Sequence, residues 1–163
     1  MQPDFETRLQ KAIERGQRAS HARARAEAEK ALSEQELRRL HSQCRLELSE
    51  HIERCLKSLA HHVPGFRFET IVSERGWGAA VSRDDLGIEG PRRRANYFSR
   101  LEMLIRPVTQ AFVLELAAKA TIRNKECFHR AHYQRLTEAD LTSFANMIDL
   151  WALEYAELYA AKS

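Results

Sequence analysis

Cysteine is too scarce in this chain to hold a fold together. Three thiols in 163 residues cannot all pair with one another, and Cys44 and Cys55, if on one helix, stand about 16 Å apart by rise alone, beyond disulfide reach. The expectation is three buried or neutral thiols in a reducing cytoplasm. Six glycines and four prolines exclude a collagen-like or low-complexity chain. No apolar run approaches the ~20 residues of a membrane span. The opening residues, Met1 to Glu6, lack the apolar stretch of a secretory signal, and Asp4, Glu6 and Glu14 argue against a transit peptide. No membrane partner is expected.

Charge of one sign is missing too. Lys and Arg number 26 against 23 Asp and Glu, a formal net charge of +3, which permits nucleic acid without indicating it. Catalytic signatures are likewise missing: the chain has no GxSxG, HExxH, glycine-rich phosphate loop or paired-carboxylate pattern. Asp84, Asp85 and Glu89 fail the twelve-residue calcium pattern, because Glu89 falls where glycine is needed or the count ends on Asn96. The expectation is therefore a non-enzyme with no cofactor and no metal.

What is present is the composition of one soluble globular domain, 44% hydrophobic and 30% charged, with two kinds of periodicity. In 108–123, VTQAFVLELAAKATIR, the residues Phe112, Leu114, Leu116, Ala118, Ala120 and Ile122 fall on every second position. That period predicts a central strand, although the Ala, Leu, Glu and Lys content favours helix intrinsically. A strand this long is expected to carry a bulge or bend. Shorter alternating runs predict strands at 66–73, 79–83, 97–106 and 127–135, with a polar connection over 83–96.

Period 3.6 governs the two ends. Phe5, Leu9, Ala12, Ile13, Gly16 and Ala19 share one helical side, with Arg8, Lys11, Arg15, Arg18 and Arg25 beside them. The following segment, ASHARARAEAEKA, holds good helix formers and no large core-forming side chain, so 1–32 is expected to be a helical arm ahead of a single domain over 33–163. Ser33 and Glu36 form a capping box that starts a second helix or lies inside one continuous helix. Leu37, Leu40, Cys44, Leu48, His51 or Ile52, Cys55 and Leu59 then give one buried stripe, ended at Val63, Pro64 and Gly65. Thr137 and Asp140 cap a last helix with Leu141, Phe144, Ile148, Trp151, Tyr155 and Leu158 inward. The prediction is an α+β fold: a two-layer domain in which an antiparallel β-meander of about five strands carries the long N-terminal helical segment and the C-terminal helix on one face.

The other sheet face is then the surface of interest. It is expected to carry Arg67, Arg100, Arg106, Lys119, Arg123 and Arg130 against Glu69, Glu102 and Glu115, with Ile71, Leu104 and Val113 interspersed. Cross-strand ion pairs are the plain reading and a dimer interface or ligand groove the alternative. Zinc is disfavoured. His129 and His132, three apart in a strand, point to opposite faces, and His61 and His62 sit at a helix end. Cys44, His51 and Cys55 on a Leu-rich stripe read as core. Trp77, between Gly76 and Gly78, either stacks on a partner or folds over the sheet edge.

The functional expectation is a non-catalytic interaction or scaffold module, pairing with itself as a homodimer or with another protein. Its contacts would be Phe5, Arg8, Leu9, Ile13 and Arg15 on the first helix, with Trp77, Ile71, Leu104, Val113, Lys119 and Arg123 elsewhere. The alternative is an electrostatic RNA or DNA binder using Arg92, Arg93 and Arg94 as phosphate contacts. A small-ligand domain is the third reading.

Overall fold

A computed structural model describes residues 4–89 and 93–162, with the side chains of 87–95 left aside. The chain divides into two compact units, residues 1–39 and 40–163. Among the described residues no helix is long and apolar enough to cross a membrane.

Helix α1 runs without a break over Phe5–His62. Asp4 caps it, the Oδ1 oxygen accepting the Thr7 amide at 2.9 Å. Hydrogen bonds from Thr7 hold the Asp4 carboxyl below the usual carboxylate range. Ser33 and Glu36 lie inside the helix and start nothing, because the Ala, Arg and Glu residues on both sides propagate it. Its end is where Val63, Pro64 and Gly65 were expected to stop it. The Val63 amide reaches the Leu59 carbonyl at 3.0 Å, and Gly65 takes φ +94°, a conformation that a β-carbon resists.

In the unit 40–163, five strands make one sheet: β1 Arg67–Ser73, β2 Gly76–Glu89, β3 Arg93–Ile105, β4 Val113–Ile122 and β5 Lys125–Arg135. They lie in sequence order, every neighbouring pair antiparallel. A 3-10 turn, Leu136–Glu138, leads to α2, Leu141–Lys162. Asp140 caps α2 by accepting the Thr142 amide at 3.1 Å, while Thr137 belongs to the preceding turn. The fold is α+β, as the two periodicities require.

Strand β4 is the centre of the core. Leu114, Leu116, Ala118, Ala120 and Ile122 are all buried on the helix side. Burying each Leu or Ile contributes roughly 1.5–3 kcal/mol, against only tenths of a kcal/mol per residue for helix propensity. Burial therefore decides the conformation. The strand is shorter than its sequence pattern: Phe112 takes φ 50° in a turn closed by its amide on Thr109, and Arg123 and Asn124 turn the chain at the other end with φ 49° and 71°. The expected defect is a bulge between Ala120 and Thr121 in the pairing with β5.

Both helices cover the same face of the sheet. Buried His41, Cys44, Leu48, Ile52, Leu56 and Leu59 form the inner side of α1, so His41 and Leu56 take the places that the sequence pattern assigned to Leu40 and Cys55. The Arg45 guanidinium lies over the Trp77 ring and the Lys57 ammonium near Phe68. From α2, Tyr155 donates to the Thr121 carbonyl at 2.9 Å, Phe144 packs edge-on to His132, and Tyr159 packs against Phe66.

The polar segment 83–96 differs from expectation. Its described residues, 83–89 and 93–96, are no loose connection but continue β2 and β3 as paired strand. Polar strand is stable here because side chains on both faces find partners: Asp84 accepts from Arg67 at 3.1 Å, and Asp85 from Arg83 at 2.7 Å.

Candidate functional site

Where α1 and α2 run beside each other, their facing side chains leave a groove of about 530 Å³. Apolar side chains, Leu59, Val63, Ala152, Leu153 and Ala156, wall most of it. At one end three groups of different chemistry meet. Helix α1 supplies His51 and Cys55, four residues apart and so one above the other on the helix surface. Asp149 comes from α2. His51 Nε2 lies 2.8 Å from Asp149 Oδ1, and the Cys55 thiol donates to the same oxygen at 3.2 Å. The three donor atoms all lie within 4.8 Å of one another.

The tautomer of His51 follows from its neighbours. Arg54 Nη2 lies 3.3 Å from His51 Nδ1, and a guanidinium can only donate. Nδ1 is therefore the acceptor, and Nε2 carries the proton that it gives to Asp149. Cys55 is no nucleophile in this state. Burial, together with the Asp149 carboxylate, pushes its thiol up to about 12, and both His51 and the thiol are engaged with Asp149 rather than with each other. A thiolate–imidazolium pair, which reactive cysteines require, does not form.

Sequence reasoning weighed Cys44, His51 and Cys55 together and missed Asp149. Cys44 is buried on the inner side of α1, and burial raises its thiol too. Asp149 lies 94 and 98 residues away from its two partners along the chain. The one available signal was a carboxylate next to inward-facing Ile148 in an apolar helix. The helix-end and strand histidines sit as expected: His62 Nδ1 reaches the Ser58 carbonyl at 2.8 Å at the helix end, and His129 and His132 occupy opposite sheet faces, since the register pairs His129 with Lys119 and His132 with Leu116.

The second sheet face is a ladder of ion pairs. Arg67 meets Asp84, Arg100 meets Glu69 at 2.7 Å and Glu102 at 3.3 Å, Arg75 meets Glu102 at 2.6 Å, and Arg106 meets Glu115 at 3.8 Å. Arg75 and Arg100 sit at Glu102 in the middle of the face, where Leu104 is only 3% exposed. Leu104 is thus closed to a partner, while Ile71 and Val113 are half-buried and Lys119 exposed. Two expected members are elsewhere. Arg130 faces the helices, where it pairs with Glu154 of α2, because β5 sends Phe128, Arg130, His132 and Gln134 inward. Arg123 is in the turn after β4, its guanidinium over the Tyr97 ring. Trp77 is not at a turn tip; it is paired in β2 with Val72 and Ile105 and covered by Arg45.

Of the arginines expected to contact phosphate, Arg92 lies outside the described residues. Arg93 and Arg94 pair in the hairpin with Glu89 and Ile88. In the unit 1–39, every residue from Asp4 to Ser33 is exposed. Phe5 is 73% exposed, Leu9 46% and Ile13 52%, and Arg8 and Arg15 are exposed beside them. A β-carbon added at Gly16 would meet nothing. Searches of protein-family models, of curated proteins and of solved structures find no match for this chain.

Proposed function

We propose that the protein is a non-catalytic interaction module that pairs with a second copy of itself through the first part of α1. The observation that carries this reading is the exposed stripe Phe5, Leu9, Ile13, contiguous on one helical side. Three large apolar side chains at four-residue spacing on a helix form the kind of surface that helix pairing buries. Gly16 and Ala19 continue the stripe with small side chains, which permit close approach of a second backbone.

Charge order supports a second copy as the occupant. Arg8, Lys11, Arg15, Arg18, Arg23 and Arg25 stand against Glu14 alone, and the next stretch reverses, with Glu27, Glu29, Glu34 and Glu36 against Lys30 alone. Two such helices laid antiparallel set the basic stretch of each against the acidic stretch of the other, whereas parallel pairing sets like against like. Flanking charges choose orientation in this way in coiled coils. The second sheet face contributes less to this reading, because its arginines are already paired with Glu and Asp.

Sedimentation equilibrium tests the reading. The full chain is expected to show a dimer mass that weakens with added salt, and Phe5→Glu with Ile13→Glu is expected to leave a folded monomer. A monomer at low salt up to roughly 100 µM, where even a weak specific dimer is populated, refutes it. A salt-sensitive shift with nucleic acid by the monomer, lost when the arginines of 8–25 are changed, would favour the polyanion reading instead.

A further inference from the structure

We propose that His51, Cys55 and Asp149 bind a divalent transition-metal ion of the zinc class, with the remaining coordination position open to the groove between α1 and α2. This site lies wholly in the unit 40–163 and is independent of the pairing of α1.

Three properties of the cluster carry the proposal. The first is convergence: three donors of three residue types, from two helices, have their ligand atoms within 4.8 Å of one another. The second is size. A tetrahedral ion with bonds of ~2.0–2.3 Å needs its donor atoms about 3.3–3.6 Å apart. The existing separations from Asp149 Oδ1 are 2.8 Å to His51 Nε2 and 3.2 Å to Cys55 Sγ, so each opens by at most about half an ångström, while the separation between the His51 and Cys55 donors, within 4.8 Å, closes by up to about an ångström. The third is donor type. One sulfur, one imidazole nitrogen and one carboxylate oxygen suit zinc and its neighbours, whereas calcium and magnesium take oxygen ligands.

The hydrogen bonds now in the cluster mark where the ion goes, since both protons point at the oxygen that would share it. On binding, the Cys55 thiol loses its proton to solvent. The His51 ring proton leaves Nε2, and a proton from solvent takes its place on Nδ1. One proton is released per ion in total, and thiolate plus carboxylate balance the two positive charges. Arg54 must swing away from Nδ1, which becomes a donor; its side chain is exposed and free to do so. Three protein ligands with an open position are the pattern of a site that takes water or a further ligand, rather than a closed structural site.

Cobalt titration of the full, reduced chain tests this. The expected result is one Co²⁺ per chain, with a thiolate-to-cobalt band in the near ultraviolet and intense visible bands of tetrahedral cobalt, both removed by one equivalent of Zn²⁺. Cys55→Ser should abolish the near-ultraviolet band, and Cys44→Ser and Cys127→Ser should leave it. Asp149→Asn, which keeps the side chain's size, should weaken cobalt binding at least about tenfold, the loss that even an outer partner of a ligand can carry. It decides the matter should Cys55→Ser fail to fold. No thiolate band with excess Co²⁺, a band that survives Cys55→Ser, or unchanged affinity in folded Asp149→Asn would overturn the proposal and leave the three residues as a hydrogen-bonded clasp between the helices.

Discussion

His41 is the residue at which burial and polarity conflict most directly. Its side chain is buried, its Nε2 has no hydrogen-bond partner among the described residues, and a hydrogen bond to the Arg106 backbone offsets part of the cost. Desolvation, with a smaller push from the Arg45 charge, lowers its pKa below 6.5. In the unfolded chain His41 recovers that ordinary value, so as pH falls the unfolded state takes up the proton first. Stability is therefore present above pH 6.5 and is lost on acidification toward the depressed folded value. His41→Leu should flatten the pH dependence of urea unfolding between about pH 7 and 5. If the slope matches that of the parent protein, His41 is not held neutral in the fold. The ion pair of Arg130 with Glu154 matters less. The guanidinium holds the Glu154 carboxyl below 4.5, a contribution present above that value and lost below it. With each side chain about 40% exposed, solvent limits the pair to ~1 kcal/mol.

Among the elements, β2 depends on a residue that contributes no side chain at all. Gly78 pairs with Leu104, and a β-carbon there would overlap the carbonyl oxygen of Met103. Backbone atoms in a paired strand cannot swing aside as the end of a long side chain can. Gly78→Ala should therefore cost at least about 2 kcal/mol in chemical denaturation, through displacement of the β2–β3 ladder. Gly16 offers the opposite case, a helical glycine with open space around it. Gly16→Ala should strengthen α1 by roughly 0.5–1 kcal/mol, read as increased helicity in circular dichroism on warming. Equal effects of the two substitutions would show that close packing at Gly78 is not what the strand requires.

At the scale of the whole molecule the two units are held in different ways. The unit 40–163 has a sheet with helices on one face and a continuous apolar core. The helix over 5–33 is exposed along its length and shows local pairs such as Arg18 with Glu14 at 3.8 Å, and isolated helical segments are marginal in water. Native-state hydrogen exchange should divide accordingly. Amides of 5–33 in dilute protein should exchange by local opening, while those of β3 and β4 should require global unfolding. Raising the protein concentration should slow exchange in 5–33 selectively if the helices pair. Protection of 5–33 equal to that of the sheet in a dilute monomer would contradict this account of what holds it.

Local pattern alone determined the helices, the alternation of β4, the cap at Asp140, and the stop at Gly65, because each depends on residues within a few positions of one another. It also led to the α+β class, since a period-two segment flanked by two period-3.6 segments can bury both kinds of face only by stacking helix on sheet. Tertiary structure decided the rest. It made strand of the polar 83–89 and 93–96, where partners across the sheet outweigh composition. It shortened β4 by imposing turns at both ends, turned Arg130 inward toward Glu154, and closed Leu104 beneath the second-face ion pairs. Above all, it carried Asp149 to His51 and Cys55. No local pattern encodes that meeting, because a cluster drawn from two helices nearly a hundred residues apart exists only once a common sheet has fixed where both of them lie.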